Sequence, residues 1–215
     1  MKFSALTDKY NFFIFDFDGV VMDTVFIKNN IFYNFFLKYG KSIAEKTLNY
    51  HMDNLGINRY VKFEYIYKNF IGEQVNSDIV KKNLEKFSLD LKNQLKTANK
   101  VNGFTEFISN LYSLKKKCYI ISAAPTEELE FLLLINNLNP YFEKYYGSPK
   151  NKYENFQLLK QQYNIDLSKS IYFGDTVNDM VFAKKSYLTF LGVGKELKKI
   201  LKKNVINEFD DINYI

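Results

Sequence analysis

The sequence predicts an α/β fold, a Rossmann-like doubly wound parallel sheet with an inserted all-α cap domain. Two observations lead to this prediction. Short apolar runs alternate along the chain with amphipathic helical patterns, as the strands and crossover helices of a parallel sheet do. After the first run, residues 24–100 show helical patterns only, and this stretch is too long to be a crossover helix.

The predicted strands are mainly apolar, which is typical of central strands buried on both faces. Each ends at a small or polar residue. The runs, each with the residue that ends it, are Phe12–Phe15 (Asp16), 118–121 (Ser122), 170–173 (Gly174) and 188–191 (Gly192). Ligands of open parallel sheets bind outside the carboxyl ends of the strands, so the polar residues at these ends are the candidates for a functional site.

Helical periodicity predicts the elements between the strands. In the core these are residues 104–114, 129–136, 154–163 and 178–185, and in the insertion the same spacing occurs in residues 32–39 and 79–95. We therefore predict a core domain formed by residues 1–23 and 101–215. The helical cap domain would comprise residues 24–100.

Composition and charge limit the function classes. The formal charge of +6 could suggest a nucleic-acid partner, but Arg59 is the only arginine and the lysines are spread along the chain, so we expect none. Cys118 is the only cysteine, which fits a reducing compartment. No apolar stretch approaches the roughly 18 residues of a membrane span. We expect a cytoplasmic protein with no membrane partner, and the sequence leaves its oligomeric state open.

Acidic, hydroxyl and lysine side chains follow the predicted strands. The first strand leads into Asp16-Phe17-Asp18-Gly19, where period-two geometry points both carboxylates the same way and the glycine allows a sharp turn. The later groups are Ser122, a lysine in the segment Gly147-Ser148-Pro149-Lys150-Asn151-Lys152, and Asp175 with Asp179.

Carboxylates this close together would repel one another unless a divalent cation lay among them. Hard oxygen ligands suit Mg²⁺, which binds one or two carboxylates together with substrate phosphate oxygens and water. A hydroxyl and an ammonium group would stabilise the charge on a transferring phosphoryl group. The set of residues therefore predicts Mg²⁺-dependent phosphoryl transfer.

The same motifs, in the same order, resemble those of the haloacid dehalogenase-like superfamily. The resemblance covers the chain from Phe12 to about Gly194. The hydrophobic strand with Asp-x-Asp-Gly would be a moderately specific signal by itself, and the ordered serine, lysine and Gly-Asp-x-x-x-Asp elements make it highly specific. The insertion after the first motif resembles that of the helical-cap subclass.

The resemblance implies a role for each motif residue. Asp16 would be the nucleophile that forms an aspartyl-phosphate, and Asp18 would act first as general acid and then as general base. Mg²⁺ would be bound by the Asp16 carboxylate, the Asp18 backbone carbonyl and Asp175, with Asp179 binding directly or through water. Ser122 and a lysine would hold phosphate oxygens.

Two of these assignments have explicit alternatives. The phosphate-binding lysine is either Lys150 or Lys152, and we choose Lys152 because relatives with a Gly-Ser-Pro lead-in place this lysine three residues past the proline, just before a helix. An aspartate after a strand can also simply cap the next helix, and this reading is strongest for Asp179.

The resemblance implies a phosphatase acting on a small phosphorylated metabolite such as a sugar phosphate, a nucleotide or a phosphoglycolate-like compound. A sugar-phosphate mutase of the β-phosphoglucomutase type shares the same residues and stays open, with phosphonate hydrolysis third. Asp18 argues against a haloalkanoate dehalogenase, which lacks the second acid of this motif. A non-catalytic phospho-binding or regulatory protein is the alternative from another class, and the presence of all four motifs counts against it.

Overall fold

The computed structural model of the chain describes residues 1–55, 57–72 and 77–214. Positions 56 and 73–76 of the predicted cap, and position 215 of the predicted core, lie outside the described residues. The chain forms two compact units. The sheet unit comprises Met1–Asp23 and Asn99–Ile215, and the helical unit comprises Thr24–Ala98.

The described part of the sheet unit contains a six-stranded sheet in which every neighbouring pair of strands is parallel. Its strands are β1 (Phe12–Phe15), β2 (Lys117–Pro125), β3 (Lys144–Ser148), β4 (Ser170–Gly174), β5 (Thr189–Val193) and β6 (Val205–Ile206). The spatial order is β3-β2-β1-β4-β5-β6, so the strand order reverses between β1 and β4. This is the strand order of doubly wound dinucleotide-binding sheets, and the predicted fold class is confirmed.

Ten α-helices lie in the described residues. The sheet unit contains α1 (Phe3–Lys9), α6 (Phe104–Ser113), α7 (Thr126–Ile135), α8 (Lys152–Tyr163), α9 (Val177–Lys185) and α10 (Lys195–Ile200). The helical unit contains α2 (Val25–Phe36), α3 (Lys41–Asp53), α4 (Arg59–Ile66) and α5 (Ser77–Leu95). Of the helices described, none combines the length and the apolar composition that a membrane span requires.

Helices cover both faces of the sheet because alternate strand residues point to opposite sides. On one face, Ile14 and its neighbours pack under α8 and α9; this apolar cluster is formed by Ile14, Tyr119, Ile121, Phe156, Leu159, Ile165, Tyr172, Phe182, Ala183 and Leu188. On the other face, Phe15 of β1 lies edge-on to Phe104 and Phe107 of α6, with ring centroids 5.6 and 6.2 Å away. Both faces of the central strands are therefore buried, as their composition predicts.

The helical unit has an aromatic core of its own. Phe63 of α4 contacts Phe32 and Phe36 of α2 and Phe87 of α5, and the ring centroids of Phe32 and Phe87 lie 4.7 Å apart. All four rings are at most 2% exposed. Phe32, Phe36 and Phe87, which occur at helical spacing in the sequence, are therefore core residues, whereas Ile79 in the same spacing is exposed.

Some boundaries differ from the predicted ones. The second strand does not end at Ser122 but continues to Pro125, with an irregular register between Ile121 and Pro125. The structure also contains elements that the apolar patterns do not predict, namely α1, β3, α10 and β6. β3 is an edge strand of sequence Lys-Tyr-Tyr-Gly-Ser and is largely half-buried, so it lacks the apolar run of a central strand.

Candidate active site

The candidate site lies at the carboxyl edge of the sheet, where the strand order reverses. Phe15, the last residue of β1, pairs with Phe173 of β4, and the Asp16 backbone N–H donates to the Phe173 carbonyl oxygen at 2.8 Å. Asp175 follows the last residue of β4 directly. Asp16 and Asp175 therefore leave neighbouring strands within one residue of the same level, the position where open α/β sheets bind ligands.

A tight turn follows β1 and brings the backbone close to Asp175. Gly19 has a φ of +75° and donates its N–H to the Met22 carbonyl oxygen at 2.8 Å. A Cβ atom on Gly19 would lie 2.3 Å from Asp175 Oδ2, closer than any side chain can approach. The glycine is needed for its conformation and for the space that the Asp175 carboxylate occupies.

Three carboxylates converge at this edge. Among the described residues, Asp16, Asp175 and Asp179 each offer an oxygen that lies within 4.8 Å of the others. Asp179 belongs to the first turn of α9, where Thr176 is the N-cap and the two residues form a reciprocal capping box. Asp179 therefore caps its helix and also faces the carboxylates that follow β1 and β4.

The structure places Lys152, and not Lys150, beside the carboxylates. Lys152 is the first residue of α8, whose start is fixed by a capping box between Asn151 and Glu154. Its Nζ lies 2.8 Å from Asp16 Oδ1 and 2.6 Å from Asp179 Oδ1. Lys150 is exposed in the preceding loop.

Both oxygens of Asp179 already accept hydrogen bonds from the chain. Oδ1 accepts from Lys152 Nζ at 2.6 Å and from the Tyr172 hydroxyl at 2.7 Å. Oδ2 accepts from the Thr176 hydroxyl at 2.6 Å and from the Thr176 N–H at 3.1 Å. Because a carboxylate has about four lone-pair positions, these four donors use its full capacity.

Burial and crowding shift the pKa values of the acidic groups. Burial raises the pKa of Asp16 to about 7, with Asp179 and Asp18 adding to the rise and Lys152 opposing it. Burial and the neighbouring Asp179 and Asp16 also raise the pKa of Asp175. Burial alone would raise the pKa of Asp179, but Lys152 and the hydrogen bonds that Asp179 accepts hold it below its ordinary value. The charge of Lys152 is retained because Asp16 and Asp179 raise its pKa against the effect of burial.

The acidic cluster fits a divalent cation. When ionised, Asp16, Asp175 and Asp179 carry three negative charges and Lys152 carries one positive charge, which leaves a formal charge of −2. The contact of Lys152 with Asp16 Oδ1 is an ion pair, and no described residue gives this buried oxygen a hydrogen bond of regular geometry. Closely spaced carboxylate oxygens of this kind are the ligands that Mg²⁺ prefers.

The remaining predicted residues lie close to the same edge. Asp18 is partly buried in the turn after β1, and its charge contributes to the raised pKa of Asp16. Ser122 is 1% exposed and lies within β2, two residues after Ile120, the strand partner of Phe15. Its Oγ accepts a hydrogen bond from the Ala124 N–H at 3.1 Å.

Two residues of the site are absent from the sequence-based prediction. Thr176 could have been found from the Thr-x-x-Asp spacing with Asp179, which is a helix-start pattern. Tyr172 gave no comparable signal, because a tyrosine in an apolar strand is usually a packing residue. Only its contacts with Lys152 and Asp179 show that its hydroxyl reaches the site.

A family comparison identifies the class of protein. The sequence model of the haloacid dehalogenase-like hydrolases matches residues 13–193, and the chain belongs to this family. The resemblance seen in the sequence motifs is thereby confirmed. No curated protein matches the chain in a sequence search.

Solved structures share the fold at low sequence identity. A predicted phosphoglycolate phosphatase from Haemophilus somnus 129PT has a TM-score of 0.70 at 15% identity, covering 94% of this chain and 96% of that one. A predicted phosphatase from Clostridium acetobutylicum has a TM-score of 0.68 at 20% identity, with the same coverage of 94% and 96%. A protein of Thermotoga maritima provisionally assigned as a β-phosphoglucomutase has a TM-score of 0.66 at 18% identity, covering 91% and 94%. These likenesses extend over nearly the whole length of each chain.

Proposed function

We propose that the chain is a Mg²⁺-dependent phosphatase that hydrolyses a small phosphorylated metabolite through an aspartyl-phosphate on Asp16. The observation that supports this most directly is the joint placement of Asp16, Asp175, Asp179 and Lys152 at the carboxyl edge of the sheet. Family membership supports the hydrolase class.

Asp16 is the proposed nucleophile. An oxygen of its carboxylate would attack the phosphorus, and the bond from phosphorus to the substrate oxygen would break as the aspartyl-phosphate forms. Lys152 supports this role, because its ammonium lies 2.8 Å from Asp16 Oδ1 and favours the ionised carboxylate. During transfer, the same ammonium and the Ser122 hydroxyl would stabilise negative charge on the phosphoryl oxygens.

Asp18 is the proposed acid and base. It would protonate the oxygen of the leaving group and then take a proton from the water that hydrolyses the aspartyl-phosphate. Its place in the turn after β1, two residues beyond Asp16 and near enough to influence the pKa of Asp16, supports this assignment.

The proposed metal site uses the Asp16 and Asp175 carboxylates and the Asp18 backbone carbonyl. Bound Mg²⁺ would supply positive charge that neutralises the acids and the transferring phosphoryl group. We assign Asp179 mainly to orienting Lys152, because four donors already occupy its oxygens and a direct metal contact would have to replace one of them. A contact through a metal-bound water would also need one of these acceptor positions, because that water would donate a hydrogen bond to a carboxylate oxygen.

The proposed substrate is a small phosphate ester, with sugar phosphates and phosphoglycolate-like compounds first. The names of the structurally similar proteins support this class. We propose a cytoplasmic location, in line with the single cysteine, Cys118, which is buried and whose thiol pKa is raised by burial.

The test measures phosphate release from a panel of sugar phosphates, nucleotides and phosphoglycolate, with Mg²⁺ and with EDTA. The variant Asp16→Asn keeps the size of the side chain but removes the nucleophile. Asp23→Asn is the matched control, because Asp23 is an exposed acid of the same segment that lies outside the carboxylate cluster. We expect release that needs Mg²⁺, is lost in Asp16→Asn and is kept in Asp23→Asn.

Two other outcomes would contradict the proposal. Isomerisation of a sugar phosphate without net phosphate release would identify a mutase, which needs the same residues but protects the aspartyl-phosphate from water. Neither release nor isomerisation, with tight binding of a phosphorylated compound, would identify a non-catalytic binding protein.

A further inference from the structure

The hydroxyl of Tyr172 lies between two charged groups of the site. Tyr172 is the third residue of β4 and is fully buried. Its hydroxyl donates to Asp179 Oδ1 at 2.7 Å and accepts from Lys152 Nζ at 3.1 Å. The hydroxyl therefore acts both as a donor and as an acceptor, and both partners are residues of the candidate active site.

Packing alone does not account for this hydroxyl. The Tyr172 ring belongs to the apolar cluster under α8 and α9 and lies edge-on to Phe182, with ring centroids 4.9 Å apart. A phenylalanine would fill the same space without the cost of removing a hydroxyl from water. The hydroxyl lies in this apolar layer and forms hydrogen bonds with two charged groups. This arrangement indicates that the hydroxyl serves to position those groups.

The contacts of Lys152 define that role. An ammonium has three N–H donors. Lys152 Nζ donates hydrogen bonds to Asp179 Oδ1 at 2.6 Å and to Tyr172 Oη at 3.1 Å, and it forms an ion pair with Asp16 Oδ1 at 2.8 Å. Lysine side chains are long and flexible, so an ammonium held by two hydrogen bonds and an ion pair is fixed far better than one that lacks the hydrogen bond to Tyr172. Tyr172 also contacts Asp179, and the three groups form a closed triangle of hydrogen bonds.

We infer that Tyr172 is a positioning residue that holds the Lys152 ammonium against Asp16 through its hydrogen bonds to Lys152 and Asp179. Because its hydroxyl is directed at these two residues, its effect on the reaction is exerted through the ammonium. The effect on rate rests on the proposed phosphatase function, whereas the effect on the ammonium does not.

The first test observes the ammonium itself. Protein labelled with ¹⁵N at the lysine side chains is compared without substrate as wild type, Tyr172→Phe and Tyr119→Phe, and the Lys152 Nζ resonance is assigned by its absence in Lys152→Ala. Tyr119 of β2 is the matched control. It pairs with Ile14 on one side, as Tyr172 of β4 does on the other, and it belongs to the same apolar cluster. No hydrogen bond described at the site involves Tyr119.

We expect a slowly exchanging Lys152 ammonium signal in the wild type and in Tyr119→Phe. In Tyr172→Phe the exchange with water should be at least about tenfold faster, the factor expected for loss of one hydrogen bond to a charged group. Unchanged exchange in Tyr172→Phe, or no protected Lys152 signal in the wild type, would overturn the inference.

The second test is a double-mutant cycle on phosphate release. Tyr172→Phe should lower kcat by about 10- to 100-fold with KM changed by less than about threefold, and it should cause no further loss in a Lys152→Ala background. An equal loss in both backgrounds would show a general structural effect and overturn the inference. If the wild-type protein releases phosphate from no substrate, the proposed function fails. The ammonium measurement then still tests the role of Tyr172.

Discussion

At the scale of single residues, one lysine side chain connects an acid that follows β1 with an acid in the first turn of α9. Lys152 Nζ contacts the carboxylate after β1 and the carboxylate in the first turn of α9, while Lys150, two residues earlier, is exposed. Two lysines that are two residues apart in the chain thus have very different surroundings. Their substitution provides a matched pair of measurements.

Lys152→Ala should lower kcat/KM for phosphate release by about 100- to 1,000-fold, the usual loss when a donor to developing negative charge is removed. Lys150→Ala should change it by about twofold or less, because exposed substitutions alter free energies by about 0.5 kcal/mol or less. The measurement is steady-state phosphate release with the best substrate of the panel. A larger effect of Lys150→Ala would reassign the phosphate-binding lysine.

Gly19→Ala should weaken Mg²⁺ binding, because its Cβ would meet Asp175 Oδ2 at 2.3 Å and move that carboxylate. We expect the Mg²⁺ concentration for half-maximal activity to rise by about 10- to 100-fold, as when a group that orients a metal ligand is lost. Gly72→Ala is the control, since Gly72 has nearly the same φ, +74°, and no described atom within 4 Å of the added Cβ. An equal rise in this Mg²⁺ concentration in both variants would show that backbone strain, and not the contact with Asp175, causes the effect.

At the scale of elements, the helical unit buries positive charge between its helices. His51 of α3 stacks on Phe32 of α2 with ring centroids 3.8 Å apart and accepts a hydrogen bond from Lys62 Nζ of α4 at Nδ1, 3.1 Å away. Burial, followed by the charges of Lys62, Lys28 and Arg59, lowers the pKa of His51 to about 2. The imidazole is therefore neutral and accepts a proton only when the chain unfolds.

This buried imidazole predicts acid sensitivity. Below its unfolded pKa of about 6.5, the unfolded chain binds a proton that the folded chain does not, so stability falls as pH falls. Between pH 7.5 and pH 5 the loss attributable to His51 should be about 2 kcal/mol. His51→Gln, which cannot titrate, should lose that much less stability over this interval in urea unfolding followed by circular dichroism. Equal losses in the two proteins would show that His51 does not titrate in this way.

At the scale of the whole molecule, the sheet order brings distant parts of the sequence to one edge. The segments after β1 and β4, the start of α8 and the first turn of α9 contribute the three carboxylates and the ammonium. These groups leave a formal charge of −2 when ionised, and only the folded chain assembles them. Binding of Mg²⁺ should therefore be coupled to folding.

Saturating Mg²⁺ should stabilise the folded protein by about 2.7 kcal/mol at 100 times the dissociation constant. For a chain of this size that corresponds to a rise in Tm of about 5–10 °C. Asp175→Asn should abolish most of the rise, and Asp23→Asn should keep it. Thermal unfolding with Mg²⁺ and with EDTA measures the difference, and an equal rise in Asp175→Asn would remove Asp175 from the metal site.

The sequence by itself determined the fold class and the family. Central strands such as Phe12–Phe15 must be apolar on both faces, and the residues after them follow a fixed order, so local composition and motif order are sufficient. The edge strands β3 and β6 were not predicted, because β6 is short and β3 is largely half-exposed. The extension of β2 beyond Ser122 was also not predicted, because the pairing with β3 is interrupted after Ile121 and resumes only at Pro125.

The tertiary structure decided how the side chains of the site meet. The loop residues by themselves leave both Lys150 and Lys152 available, and the family resemblance favours Lys152. The start of α8 is what directs Lys152 to Asp16. Four donors surround Asp179, and the hydroxyl of Tyr172 is among them, because β4, α8 and α9 pack on one face of the sheet. Hydrogen bonds between residues far apart in the chain depend on register and packing, and these are properties of the assembled fold.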